Sequence, residues 1–434
     1  MTDDRNIELR KSGPLKGEII PPPDKSISHR SMIFASVADG VSRIRNLLRA
    51  ADTISTMNAM RALGIDIDDK GEEIMVAGKG LYGLKEPEDV IDCGNSGTTM
   101  RLLTGLLSGH PFLSVLTGDD SLRKRPMSRV ISPMKDMGAE IHARGGDSFA
   151  PIVITGGGLR GMDYTSPVAS AQVKSAILLA GLYVEGETTV REPHKSRDHT
   201  ERMLTAIGAD LSVEGLRVTI RGGARLGPMD ISVPGDFSSA AFFMAAASMV
   251  GGSEVLIRNV GVNPTRTGLI DIMKRMGAGL KILNERDVSG EPVADILCSY
   301  TGLLNAVETG PEEVPAMIDE FPILAVLATQ AHGTTRIRGA RELRVKESDR
   351  IAVMTEELRK LGVEVKEYPD GMDINGPVRM KGAVVKSHGD HRVAMSLSIA
   401  ALAAEGVTTI KGVSAVDISF PGFYRTLGEL SQSL

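Results

Sequence analysis

Seven cations stand where helices are about to begin: Lys25, Arg30, Arg125, Arg197, Lys346, Arg350 and Arg392. They sit in short polar runs, among them Asp24-Lys25-Ser26-Ile27-Ser28-His29-Arg30, Ser196-Arg197-Asp198-His199, Lys346-Glu347-Ser348-Asp349-Arg350 and Gly389-Asp390-His391-Arg392. Companion runs open other helices, Gly94-Asn95-Ser96-Gly97-Thr98-Thr99, Ser170-Ala171-Gln172-Val173-Lys174, Asp236-Phe237-Ser238 and Ile318-Asp319-Glu320-Phe321-Pro322. Ser, Asp, Asn and Thr at such places cap helices by accepting the first amide hydrogens. Capping leaves the cations unexplained, because the helix dipole disfavours a positive charge in the first turn by about 0.3 to 1 kcal/mol. An anion must compensate them. Helix starts with free amides and nearby Lys or Arg bind phosphate and carboxylate groups, so the pattern predicts a small ligand carrying more than one such group. Two acids, Asp319 and Glu347, lie among these cations; they are candidates for proton transfer, and equally for salt-bridge partners of the neighbouring Lys and Arg.

The elements that carry these runs repeat six times. One helix type is rich in small residues and passes through glycine into a β-branched strand, as in SMIFASVADG-VSRIRN and AMSLSIAALAAEG-VTTIKG. Its glycines are Gly40, Gly109, Gly186, Gly252, Gly333 and Gly406, at spacings of 66 to 81 residues along a chain of 434. The second type is amphipathic and ends in an apolar residue, Gly and an alternating strand: MRALG-IDID, MKDMG-AEIH, LTAIG-ADLS, MKRMG-AGLKI and LRKLG-VEVK, with a truncated copy, YRTLG, near the C-terminus. Their glycines, Gly64, Gly138, Gly208, Gly277, Gly362 and Gly428, are expected to end each helix in the left-handed conformation, and the period-2 pattern that follows marks a half-buried strand. Each repeat therefore reads as roughly β-α-β-α-β, an α/β fold with the small-residue helices buried and the charged ones at the surface. Six units exceed one core, so two domains of three repeats are expected, crossing near Pro21-Pro22-Pro23 and Val233-Pro234-Gly235.

Composition narrows the partners. Fifty Lys and Arg against 55 Asp and Glu give a net charge of −5, and only 6 Tyr and 9 Phe are present without Trp, which disfavours a nucleic-acid surface. The most apolar stretch, residues 240–250, falls far short of the roughly 20 residues that span a bilayer. Two cysteines and an opening without an apolar core predict a cytoplasmic protein. Gly156, Gly158 and Gly161 match a dinucleotide-binding spacing, but Met162-Asp163-Tyr164 follows where a helix is required. His388 and His391 lack a companion ligand cluster in the sequence and read as capping or substrate-contact residues, and Cys93 reads as a buried structural thiol.

The motifs PPDKSISHR, GNSGTTMRLL, SLRKRPM, SAQVKSAILLAG, SRDHTERML, PGDFSSAAFF, IDEFPILAVLA, ELRVKESDRI and GDHRVAMSL, in this order along the whole chain, resemble the 5-enolpyruvylshikimate-3-phosphate synthase family. The resemblance implies a two-domain inside-out α/β barrel of six βαβαββ repeats, three per domain, with the active site in the cleft between domains of about residues 22–237 and 1–21 plus 238–434. It implies transfer of the carboxyvinyl group of phosphoenolpyruvate to the 5-hydroxyl of shikimate 3-phosphate, with release of phosphate. By motif position Lys25, Ser26, Arg30, Ser170, Gln172, Arg197, Asp319 and Lys346 meet shikimate 3-phosphate. Lys25, Gly97, Arg125, Gln172, Arg350 and Arg392 meet phosphoenolpyruvate. Glu347 is the expected proton donor to the methylene carbon and Asp319 the base for the hydroxyl, with Lys25 and Lys346 stabilising developing charge. No metal or organic cofactor is implied, and the partners are small anions acting on a monomer, without nucleic acid or membrane. The nearest rival, a UDP-N-acetylglucosamine enolpyruvyl transferase, typically carries a cysteine where this chain has Leu122-Arg123-Lys124-Arg125-Pro126-Met127. A non-enzymatic anion- or RNA-binding module is the alternative of another class.

Overall fold

A computed structural model describes residues 5–302 and 304–431. Its helices are α1 (Lys25–Val37), α2 (Ala51–Ala62), α3 (Gly97–Ser108), α4 (Ser128–Asp136), the single turn α5 (Arg144–Asp147), α6 (Ala171–Gly181), α7 (His199–Ala206), α8 (Phe237–Met249), α9 (Gly268–Arg275), the single turn α10 (Val314–Met317), α11 (Phe321–Ala328), α12 (Arg350–Lys360), α13 (His391–Ala401) and α14 (Phe423–Ser431). None of them is long and apolar enough to cross a membrane.

The small-residue helices α1, α3, α6, α8, α11 and α13 are the buried ones, and every residue of α8 and α11 is inside. The amphipathic helices keep one wet face; α2 buries Thr53, Thr56 and Met60 and exposes Asn58 and Arg61. Five of them end as the sequence predicts: Gly64, Gly138, Gly208, Gly277 and Gly362 follow the last turn with φ between 84 and 107°, a region costly for any residue with a Cβ. Gly428 departs from the expectation, since α14 runs through it to Ser431 while Leu427 and Leu430 continue the buried face. Gly109 departs too. Its φ is −82°, and what excludes a side chain there is the Tyr183 ring, 2.3 Å from where a Cβ would lie.

The chain forms two compact units. The C-terminal unit holds the residues through Pro22, Pro234–Asp287 and the residues from Pro292 on; the N-terminal unit holds Pro23–Val233 with Val288–Glu291. The division after residue 237 expected from the resemblance thus moves upstream. Gly235 donates to the Asn259 carbonyl and Asp236 to that of Pro22, which ties this turn to the C-terminal unit. Glu291 goes the other way, because its carboxylate meets His199 Nδ1 at 2.7 Å.

Each unit has its own core and three sheets among the described residues. In the N-terminal unit Asp39–Arg45 pairs antiparallel with Glu73–Lys79 and parallel with Asp230–Ser232, and Asp66–Asp69 closes the far edge. The other two sheets repeat this order around Leu113–Thr117 and Glu187–Arg191. In the C-terminal unit the centres are Glu254–Gly261, Ala331–Ile337 and Val407–Lys411. The last of these has no hairpin of its own to pair with, and Asn6–Arg10 from the start of the chain takes that place antiparallel.

Candidate active site

In the N-terminal unit the helix starts are bonded to one another in a ring. Asp24, Ser96 and Ser170 cap α1, α3 and α6 by accepting from Ile27, Thr99 and Val173 amides, as the sequence predicts. Lys25, first residue of α1, reaches Asp52 on α2 at 2.7 Å. From α3, Arg101 Nη1 donates to Gln172 Oε1 at 2.6 Å, and Gln172 Nε2 donates to Thr98 Oγ1 at 2.9 Å, joining α3 to α6. Ser175 and Thr200 Oγ atoms lie 2.6 Å apart and join α6 to α7. Arg30 closes the ring: Nε donates to Thr200 Oγ1, Nη2 to Ser175 Oγ and Nη1 to the Ser26 carbonyl. Arg30 sits one turn inside α1 rather than at its start and is 3 % exposed. Burial, with the charge of Arg197 a smaller contributor, brings its pKa down to about 10, so it remains a cation.

Gly97 begins α3 beside two guanidinium groups. A Cβ there would stand 2.9 Å from Arg101 Nη1 and 3.5 Å from Arg125 Nη1, so the bare glycine leaves its amide and the Arg125 cation side by side. Arg125 itself is positioned by Asn95, whose Oδ1 accepts from Nη2 at 2.6 Å, and Asn95 is held in turn by Asp119. The amide of a first-turn glycine next to an immobilised Arg is suited to a phosphate. Ser26, Ser170, Gln172 and Arg197 are half-buried around the same helix starts.

Lys174 lies deeper, 2 % exposed, between Glu192 at 2.7 Å and Glu201 at 2.6 Å. Burial alone would lower its pKa, but the two carboxylates raise it, and burial raises that of Glu201. The triad fixes α6 to α7 just behind Gln172 and Arg197. His29 is also fully buried, and desolvation drops its pKa to about 3. The unfolded chain takes up a proton near pH 6.5 that the folded chain refuses, so stability from this group is present above that pH and is lost as pH falls toward 3. Between pH 7 and 5 the loss from His29 is about 2 kcal/mol. Urea unfolding at the two pH values, compared with a His29→Asn variant, measures it; equal slopes in both proteins would contradict the assignment.

The C-terminal unit repeats the arrangement with acids in place of neutral acceptors. Asp349 and Asp390 cap α12 and α13. Arg350, 1 % exposed, donates from Nε to Asp390 Oδ2 at 2.8 Å, from Nη2 to Glu347 Oε2 at 2.7 Å and from Nη1 to Asp319 Oδ1 at 3.1 Å. The second oxygen of Asp319 faces Arg392 Nη2 at 3.4 Å, so one carboxylate bridges two cations. Burial would raise the Asp390 carboxyl, but Arg350 outweighs it and holds the group below its usual range; the same acids raise the pKa of Arg350 against its own desolvation. A second buried set links α8 to α11, where Ser238 bonds Glu320 and Arg266 Nη2 reaches Asp236 Oδ1 at 2.9 Å. Lys346 is half-buried at the end of the turn Arg341–Val345, ahead of α12.

The structure thus gathers Lys25, Ser26, Arg30, Gly97, Arg125, Ser170, Gln172 and Arg197 at the helix starts of one unit, and Asp319, Lys346, Glu347, Arg350 and Arg392 at those of the other. Sequence reading missed Asp52, Thr56, Asn95, Arg101, Ser175 and Thr200 as positioning groups. Asp52 had a signal: it lies in the first turn of an amphipathic helix whose start bears an acid instead of a cation. His388 has companions that the sequence spacing hides, Glu356 and Glu357, because α12 brings them beside it. Lys360 Nζ sits 2.8 Å from each of those carboxylates, so a side-chain ammonium already occupies the space between them. Cys93 is fully buried and its thiol pKa is raised by desolvation, in keeping with a structural role.

Residues 9–427 match the family model described as EPSP synthase (3-phosphoshikimate 1-carboxyvinyltransferase). A 3-phosphoshikimate 1-carboxyvinyltransferase of Thermodesulfovibrio yellowstonii is 55% identical over 429 residues, 98% of this chain and 100% of the relative. Among solved structures, EPSP synthase from Acinetobacter baumannii superposes with a TM-score of 0.88 at 45% identity, covering 99% of each chain. The enolpyruvyl transferase NikO from Streptomyces tendae, at 20% identity and a TM-score of 0.78 over 98% of each chain, shares the fold. With the match running through both units and every motif run that carries the clustered cations and acids, the chain belongs to the EPSP synthase (3-phosphoshikimate 1-carboxyvinyltransferase) family.

Proposed function

We propose that this chain transfers the carboxyvinyl group of phosphoenolpyruvate to the 5-hydroxyl of shikimate 3-phosphate, releasing phosphate. The observation that carries the assignment of roles is the position of Asp319, bridging Arg350 and Arg392 within hydrogen-bond reach of the first. In this reading Lys25, Ser26, Arg30, Ser170, Gln172 and Arg197 hold shikimate 3-phosphate. Arg30 supports this because its bonds to Thr200, Ser175 and the Ser26 carbonyl use one N–H of each nitrogen and leave one on each terminal nitrogen, the pair a carboxylate or phosphate takes in a fork. Gly97, Arg125 and Gln172, with Arg350 and Arg392, hold phosphoenolpyruvate, and Lys25 and Lys346 balance charge on the phosphates.

Asp319 takes the proton of the 5-hydroxyl as its oxygen attacks the central carbon of phosphoenolpyruvate, and Glu347 delivers a proton to the methylene carbon, giving a tetrahedral intermediate. In the second half a methyl proton returns to Glu347 as the carbon–oxygen bond to phosphate breaks, and the hydroxyl proton held by Asp319 passes to the departing phosphate, which leaves as hydrogen phosphate, so both acids are restored and the protons balance over the cycle. Such transfers by positioned carboxyl groups contribute about 10² to 10⁴ in rate, and the fixed cations stabilise the anionic intermediate without reorganising. The reaction as written uses no metal or organic cofactor. The same proposal includes an inside-out α/β barrel of three repeats in each unit and a monomeric enzyme working in the cytoplasm.

Phosphate release from phosphoenolpyruvate in the presence of shikimate 3-phosphate, and its absence with UDP-N-acetylglucosamine, is the expected outcome. Turnover with the nucleotide sugar instead would overturn the reading. Arg125→Ala is expected to raise KM for phosphoenolpyruvate about tenfold or more, the loss of one charge-assisted contact of 1.5 to 3 kcal/mol, with KM for shikimate 3-phosphate changed less than twofold. Equal changes in both constants would show that Arg125 serves the acceptor as well.

A further inference from the structure

A chain of four buried side chains runs from α1 through α2 to the head of α3. His29 Nδ1 lies 2.7 Å from Thr56 Oγ1, Thr56 Oγ1 lies 2.6 Å from Thr99 Oγ1, and Thr99 Oγ1 donates to Ser96 Oγ at 2.7 Å. All four are fully buried. The direction of every bond follows from proton counting, because a hydroxyl has one proton to give. Thr99 gives its proton to Ser96. The contact between the two threonines must then use the proton of Thr56, and Thr56 in turn can accept only a donor from His29. The imidazole is therefore the Nδ1–H tautomer, and its bare Nε2 has no hydrogen-bond partner among the described residues. All the donors point the same way, toward Ser96, which caps α3 by accepting from the Thr99 amide.

We propose that His29, Thr56 and Thr99 are positioning residues for phosphoenolpyruvate, a relay that sets the anion-binding head of α3, with Gly97, against Lys25 on α1. This rests on the reading of Gly97 and Arg125 as the phosphoenolpyruvate side of the site. The relay touches no substrate. It acts on α3 because the same Ser96 oxygen receives both the relay and the cap, so a broken link lets the first turn rotate away from its place beside Arg125. On α1, His29 lies one turn from Lys25, which is itself anchored to the same α2 helix through Asp52. The two anchors on α2, Asp52 and Thr56, are one turn apart, and they fix both the lateral position and the rotation of α1. An unpartnered buried nitrogen on His29 is tolerated because the ring is needed at the other end; a purely packing role would be filled at less cost by an apolar residue.

Thr99→Val keeps the shape and the backbone amide while removing both relay bonds at that position. Half-saturation by phosphoenolpyruvate alone is read from the rise in melting temperature, where no acceptor is present and no turnover occurs, and KM values are read from phosphate release with both substrates. Thr99→Val and Thr56→Val are expected to weaken phosphoenolpyruvate about three- to tenfold in both readouts, the worth of one or two neutral hydrogen bonds. KM for shikimate 3-phosphate should stay within twofold and kcat within threefold, and Thr99→Ser should restore the parent constants. Where Thr99→Val does not fold, Thr99→Ala adds no bulk and carries the same expectation. Parent-like half-saturation in the Val or Ala variants, or equal weakening toward both substrates, overturns the relay. A parent protein whose melting temperature does not respond to phosphoenolpyruvate overturns the relay together with the anion site on which it rests.

Discussion

An Asp319→Asn enzyme is expected to lose about 10² to 10⁴ in kcat while folding as the parent does. The exchange preserves the size of the side chain and its oxygen toward Arg350, but removes the negative charge and the basic oxygen that faces Arg392. An amide cannot accept the hydroxyl proton at neutral pH, so the attack on phosphoenolpyruvate loses its base. Substrate binding should change far less, since Arg350 and Arg392 keep their charge and are released from one competing carboxylate. The measurement is kcat and both KM values from phosphate release, with melting temperature as the control for folding. A kcat within tenfold of the parent would remove Asp319 from the role of base. Glu347→Gln is the companion: if Glu347 is the proton donor, its loss falls on kcat too.

Arg350→Met should have the largest effect on stability. Arg350 is nearly sealed from solvent and answers three carboxylates, of which Asp390 is entirely buried. Removing one partner of such a set typically costs about 3 to 5 kcal/mol, because the remaining charges are left desolvated and close together. For a unit of this size that corresponds to a melting temperature lower by roughly 10 °C. The sign of the pH dependence separates this cause from a simple packing defect. In the parent Asp390 stays below the usual carboxylate range against the effect of burial, so its contribution is present at neutral pH and fades only in strong acid. In the variant the largest charge opposing burial is gone, and burial with the Glu347 charge pushes the Asp390 carboxyl up against His391 and the cap amides, so the folded variant binds protons more readily than the folded parent. The gap to the parent must then narrow as pH falls from 7 toward 5, the loss from His29 being common to both proteins. A gap independent of pH would mean that the lost side-chain volume, and not the stranded acids, destabilises the variant.

What could be read from the residues in order is what depends on neighbours three or four positions apart. Asp24, Ser96, Ser170, Asp349 and Asp390 cap helices because the amides they serve lie two or three residues on, and Gly64 or Gly362 ends one because its own φ must be positive. The recurrence of these local signals counts the repeats, and the family motifs carry the reaction. Gly109 and Gly428 show the limit of the same logic. The first is glycine because a ring from a distant helix approaches it, and the second is carried on by burial of its neighbours.

The partners of the cations were decided only by the tertiary structure. Whether Arg30 faces acids or hydroxyls depends on Thr200, 170 residues away, and whether Arg350 is open or sealed depends on Asp390 folding back against it. Nothing in either residue's neighbourhood along the chain distinguishes the two cases. The sequence by itself therefore determined that cation-bearing, capped helix starts recur along the chain and which family's reaction their motifs belong to, because capping, chain reversal and motif are short-range properties. Tertiary packing alone decided which of their cations are clasped by neutral acceptors and which by carboxylates, since burial and long-range hydrogen bonds set the electrostatics of a charged group.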